Sequence, residues 1–239
     1  MIKKNPPSII IFDCFETIVE NDTSSWIGLF NELVKDNNWN IDPNRLWKVW
    51  KTEEILFREK RTNLKHLDLN PKFKSYEEAW SDCFEKVLDN LNLKGNYNDL
   101  ARKCVLNMGK NQPYEETSEY LNKLSDYCKL GVISNADNDF LNPVLARIDF
   151  KFDYILSSES AKSYKPDPSI FFKFLKENNL DPLDCWYVGD KEFDDVLGSS
   201  SVGMHPFLID RSVYNEMIEE KKFISISNLI QLYEIIKKQ

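Results

Sequence analysis

Three apolar runs that each stop on polar residues constrain this chain more than any other feature. They read IIIFD (Ile9 to Asp13), LGVISN (Leu130 to Asn135) and WYVGD (Trp186 to Asp190). A continuous β-branched and aromatic run marks a strand buried on both faces, as in a parallel sheet. An open parallel sheet builds its ligand crevice outside the carboxyl ends of its strands. The groups these runs deliver there are carboxylates, a hydroxyl and an amide.

The rest of the chain supports that frame. Helical patterns over Glu116–Tyr127, Asp139–Arg147 and Pro168–Asn178, with a helix start at Asp194–Ser199, alternate with strands. Those strands are Leu130–Ile133, Tyr154–Ser157, Trp186–Val188 and Pro206–Ile209. Such alternation means a parallel sheet with helices on both faces. The stretch from Ser24 to Met108 is different. Trp26, Leu29, Phe30 and Leu33 recur at helical spacing, as do Leu46, Val49, Trp50 and Phe57, then Trp80, Phe84, Val87, Leu88 and Leu91. The expected fold is α/β: a Rossmann-like doubly wound parallel sheet core with an inserted all-α cap domain. Residues 1–20 and 109–239 are expected to form the core and 21–108 the insertion.

Composition narrows the partners. A net charge of -8 argues against nucleic acid, which needs a basic face. The basic run Lys48–Lys65 also holds Glu53, Glu54 and Glu59, and reads as a solvated helix face. No run reaches the roughly 18 apolar residues of a membrane span. Lys3 and Lys4 precede an apolar stretch too short for a signal core. Five dispersed Cys without C-x-x-C fit reduced thiols. A cytoplasmic protein is expected, monomer or homodimer, acting on a small anionic molecule, without membrane or nucleic-acid partners.

Taken singly, the polar positions are ordinary. Asp13 and Thr17 suit a strand end and a turn, and Ser134-Asn135 is common turn chemistry. Pro166 restricts Lys165 to extended geometry and so holds it outside the helix beginning near Pro168. Asp190, Asp194 and Asp195 sit near a helix start, where negative charge is favourable. That argument accommodates one carboxylate, not three.

The strings VISN, SYKPDPSIF and VGDKEFDDVLGSSSVGM together resemble the haloacid dehalogenase (HAD) superfamily of hydrolases, in the group whose helical cap lies between the first and second motifs. The resemblance implies that Asp13 is the nucleophile and that Thr17 orients it or the substrate. Ser134 and Asn135 would bind the transferred group, and Lys165 would neutralise nucleophile and anion together. Magnesium would be held by Asp13, the carbonyl of Phe15 and Asp190. Asp195 would bind the metal directly or support it from one shell out, with Asp194 the alternative. Hard oxygen ligands suit magnesium, and a carboxylate can form an aspartyl-phosphate that water then cleaves.

One departure matters. Phosphatases of this family carry an Asp two residues after the nucleophile, as proton donor; here Phe15 stands there. Glu16, in an extended segment, would face away and be a poor substitute unless the chain turns there. An aromatic residue at this position is familiar in 2-haloacid dehalogenases, which need neither proton nor metal. Against that reading stand Gly189-Asp190 and Asp195, the metal-binding form of the last motif. Phe171 also replaces a dehalogenase Tyr, and Lys48 after Leu46-Trp47 only roughly matches their halide-holding Arg. The balance favours magnesium-dependent hydrolysis of a small phosphorylated metabolite. Dehalogenation is the alternative, and a non-catalytic binding protein the alternative of another class. Trp47, Lys48, Trp50 and Arg58 are the expected pocket-facing residues of the insertion. His66 and His205 lack metal-ligand spacing.

Overall fold

The computed structural model describes residues 6–212, 218–219 and 223–239. Lys3, Lys4 and the outermost parts of the expected core (1–5, 213–217 and 220–222) lie outside the described residues.

The chain enters through β1 (Ile9–Phe12), whose four residues are all buried. Four helices follow before the next strand: α1 (Thr23–Asp36), α2 (Pro43–Lys60), α3 (Tyr76–Leu91) and α4 (Tyr97–Met108). Their starts are written in side chains. Asp22, Asp42, Ser75 and Asn96 each accept a hydrogen bond from a first-turn backbone N–H. Such caps satisfy donors the helix itself leaves free. Ser75 and Glu78 bond reciprocally as a capping box.

Alternation then begins: α5 (Thr117–Ser125), β2 (Lys129–Ser134), α6 (Asn138–Leu145), β3 (Tyr154–Ser157), α7 (Ser158–Ala161), α8 (Pro168–Glu177) and β4 (Cys185–Gly189). A π-helical turn, Glu192–Leu197, leads into α9 (Gly198–Ser201) and β5 (His205–Ile209). β6 (Ile218–Glu219), β7 (Ile224–Ile226) and α10 (Leu229–Ile236) complete the described elements. The sheet order is β3-β2-β1-β4-β5-β7-β6. All neighbouring strands run parallel except β6 against β7. The order reverses at β1, with β2 on one side and β4 on the other. The crevice of a doubly wound sheet opens at such a switch point.

Strand alternation divides β1. Ile10 and Phe12 join the core cluster that runs into the helical insertion, while Ile9 and Ile11 pack on the opposite face with Phe171 and Phe174. The first cluster is continuous from sheet to insertion: Trp80 stacks on Phe140 of α6 at 5.9 Å between centroids, and Phe140 meets Phe15 at 5.6 Å. The insertion therefore buries its apolar faces partly against the sheet layer. A core carboxylate also holds it. Asp137 accepts the backbone N–H groups of Tyr76 (2.8 Å) and Glu77 (2.9 Å) at the start of α3.

Candidate active site

The three strand ends converge as expected. Asp13 follows β1 and donates its backbone N–H to the Val188 carbonyl at 2.8 Å, tying it to β4. Asp13, Asp190 and Asp195 each offer a carboxylate oxygen, and these lie within 4.8 Å of one another. Lys165 reaches into them. Its ammonium donates to Asp13 Oδ1 (2.7 Å), Asp195 Oδ1 (2.6 Å) and the Tyr187 hydroxyl (2.8 Å), at only 2% exposure. The Lys165-Pro166 bond is cis.

This electrostatic arrangement has a net acidic bias. Burial pushes the Asp13 carboxyl up to about 6, opposed by Lys165 and reinforced by Asp195. Asp190 is pushed up to about 7 by burial, then by Asp13 and Asp195, with Lys191 pulling back. Burial works against the charge of Lys165, but Asp13 and Asp195 outweigh it and hold the ammonium well above its usual range. Carboxylates crowded at one buried point resist simultaneous ionisation. A hard divalent cation relieves that crowding, and carboxylate oxygens at this spacing are the donors magnesium takes. The residues present fit the ion. Asp195 is the most committed of the three: Oδ1 takes Lys165 and Tyr187, and Oδ2 takes the Lys191 backbone N–H at 3.0 Å. Asp194 stands apart, paired with Arg61 at 2.8 Å.

A cleft of 130 Å³ opens over this cluster. Ser134, Asn135, Phe15 and Lys165 line it, together with Trp50 and Arg58 of α2. Asn135 is already engaged: its amide Nδ2 donates to the Lys165 carbonyl (3.1 Å) and Asp194 (3.3 Å), and its Oδ1 accepts the Lys165 N–H (2.8 Å). It therefore fixes the backbone that carries the lysine. Thr17 is fully buried and does not line the cleft. Its hydroxyl has no hydrogen-bond partner among the described residues, while its carbonyl accepts from Arg211.

Two expectations need correcting. Lys48 is on the exposed face of α2 and Trp47 also stays outside the cleft. The cations that α2 and its C-terminal end bring to it are Lys51, Arg58 and Arg61, on the helix face shared with Trp50 and Glu54. Helical spacing from Trp50 points to that face; matching by motif to Leu46-Trp47 selects the wrong one. Glu16 is the second. The segment after Asp13 is no extended strand: Ile18 and Val19 N–H groups return to the Cys14 carbonyl, and the Glu16 N–H donates to the Val19 carbonyl at 2.7 Å. Glu16 takes a left-handed φ of 62° and lines the cleft beside Phe15. Burial pushes its carboxyl up, with Lys191 pulling back.

Tyr187 was not singled out in the sequence. It stands on β4 two residues before Gly189, so alternation puts both on one sheet face. Gly189 is required there: a Cβ would lie 2.3 Å from Asp195 Cγ.

Against known proteins, the family of haloacid dehalogenase-like hydrolases matches residues 10–209. This chain belongs to that family. It is 33% identical over 117 residues to the haloacid dehalogenase-like hydrolase domain-containing protein 3 of Mus musculus, a stretch covering 46% of each chain. The chain thus matches about half the length of that relative. It is 32% identical over 95 residues to the glyceraldehyde 3-phosphate phosphatase of Pyrococcus furiosus, covering 38% of this chain and 40% of that one. A HAD-hydrolase of Bacillus subtilis bound to magnesium shares the fold at TM-score 0.77, 18% identity, and coverage of 98% and 100%. The L-2-haloacid dehalogenase of Xanthobacter autotrophicus shares it at TM-score 0.69, 16% identity, and coverage of 97% and 98%. At such identities the likeness is one of fold.

Proposed function

We propose that this chain cleaves a small phosphate ester through an aspartyl-phosphate on Asp13, with magnesium held by Asp13, Asp190 and the Phe15 carbonyl. The observation that carries the reading is the cluster of Asp13, Asp190 and Asp195 around the buried Lys165. A 2-haloacid is itself a carboxylate, and without a cation this cluster repels it. With a divalent ion added, the same cluster attracts a phosphate dianion.

The ion, when bound, neutralises charge on the transferring phosphoryl group. The chain's own residues supply the rest. An Asp13 carboxylate oxygen attacks phosphorus in line as the ester P–O bond breaks. Lys165 holds Asp13 in place and offsets negative charge on the nucleophile and the phosphoryl oxygens. Ser134 hydrogen-bonds the phosphoryl group, and Asn135 steadies Lys165. Asp195 supports the metal site from behind, since both its oxygens are already hydrogen-bonded. Glu16 gives its proton to the leaving oxygen, then takes one from the water that cleaves the aspartyl-phosphate. Its cleft position and raised pKa suit that exchange, in place of the Asp absent at Phe15.

Dehalogenation keeps one specific support: Phe15 and Phe140 form an apolar wall in the cleft. Chemical trapping separates the two. Borohydride reduction during turnover of nitrophenyl phosphate with magnesium should convert Asp13 to homoserine, seen by peptide mass. An unmodified Asp13 during confirmed phosphate release would remove the covalent step.

A further inference from the structure

The cleft has a second polar end on α2. Glu54 is 4% exposed although charged. It is clamped between Lys51 Nζ and Arg58 Nε, each at 2.9 Å. Spacings of three and four residues place all three on one helix face, and all three line the cleft. Arg58 spends only Nε on Glu54. Among the described residues its two Nη groups have no partner, so the guanidinium fork is held by one edge and open at the other. An open fork of this kind suits a carboxylate or phosphate.

Charge counting points the same way. On this wall Lys51, Arg58 and Arg61 face a single carboxylate, Glu54. Arg61 is answered across the cleft by Asp194. Within this wall cations outnumber carboxylates, and Trp26, Trp50, Trp80 and Phe140 lie beside it; Asp13, Glu16, Asp190 and Asp195 line the rest of the cleft with Lys165 and Lys191. A volume of 130 Å³ accommodates a short carbon body.

We propose that the substrate is a short phosphate ester bearing a second anionic group, and that Arg58, held by Glu54 and assisted by Lys51, receives that second anion. The proposal rests on the phosphatase reading for the first anion only. The second anion is a carboxylate or a second phosphate, since both fit the fork.

A matched series tests it: propyl phosphate, its analogue with a terminal carboxylate, and its analogue with a terminal second phosphate. Each competes against nitrophenyl phosphate hydrolysis by the wild-type protein with magnesium, and the inhibition constants are compared. A charge-assisted contact predicts that at least one charged analogue binds about 10- to 100-fold tighter than propyl phosphate. Which one does so identifies the anion. In Arg58→Gln that ratio falls toward one, and Arg58→Lys restores part of it. A purely structural role for Arg58 weakens all three ligands alike and leaves the ratio intact, which overturns the proposal. So does a wild-type ratio near one. If nitrophenyl phosphate is not turned over, the phosphatase reading fails separately. The same ratio, read by calorimetric titration with magnesium present, then decides the role of Arg58.

Discussion

Asp13 and Glu16 lie three residues apart and, in the proposed mechanism, divide the chemistry. Asp13→Asn should abolish turnover while the circular dichroism spectrum stays unchanged, because the amide keeps the shape but is no carboxylate nucleophile. Activity retained in that variant would take Asp13 out of the mechanism. Glu16 has a different signature. Its left-handed backbone costs a non-glycine residue roughly 1 kcal/mol, so the side chain is kept against conformational preference. Glu16→Gly should raise the urea midpoint modestly and still slow propyl phosphate hydrolysis by about 10²-fold or more, the usual contribution of general acid–base catalysis. Nitrophenyl phosphate, whose leaving anion needs no proton, should be slowed far less. Equal losses on both substrates would assign the proton to another group.

Helix α3 shows how elements are joined across the molecule. Its first N–H groups are satisfied by Ser75 from within the insertion and by Asp137 from the core. Replacing Asp137 with Ala leaves the Tyr76 and Glu77 donors unpaired and should cost about 1–2 kcal/mol in urea unfolding. A change below a few tenths would mean that solvent satisfies those donors equally well. Gly189→Ala should do its damage through Asp195, which a new Cβ would displace. The sequence made much of this framework legible. β3 falls on Tyr154–Ser157 as read, and β1, β2, β4 and β5 within two residues at each end. Dense apolar runs in a parallel sheet are almost unambiguous. β7 and α10 went unread, as the pattern after Arg211 had no strand ending to anchor it. In the site, the positions of Asp13, Lys165 and Asp190 were legible because strand ends and proline punctuation locate them, while Asp195 was told from Asp194 only by the family resemblance. Glu16 and Arg61 were not legible. The first depends on a turn that binary alternation hides. The second, at the end of α2, is paired with Asp194 133 residues away, a relation only the folded chain supplies.

At the scale of the whole molecule, the buried carboxyl groups link stability to pH and, under the proposed function, to metal. Asp13, Asp190 and Asp137 all have carboxyl groups raised above the ordinary value of 3.8, chiefly by burial. The folded chain therefore holds these protons more tightly than the unfolded chain. Without metal, the stabilisation this provides is full below about pH 4 and is lost as pH rises through about 6 to 7. Other groups add their own dependence, so the cleaner test is the difference made by magnesium. Magnesium needs the ionised carboxylates, so it should raise Tm more at about pH 8 than at about pH 5. Asp190→Asn should shrink that difference.

The insertion, the sheet ends and the cluster converge on one claim, that Asp13 transfers a phosphoryl group with magnesium. Its most direct test is a substrate panel run with magnesium and with chelator, reading phosphate release from nitrophenyl phosphate and from alkyl phosphates, and halide release from 2-chloropropionate. The account predicts phosphate release that chelator stops and that magnesium restores, with no halide at any condition. Halide release in chelator, with no phosphate release in magnesium, would contradict it and make the chain a dehalogenase.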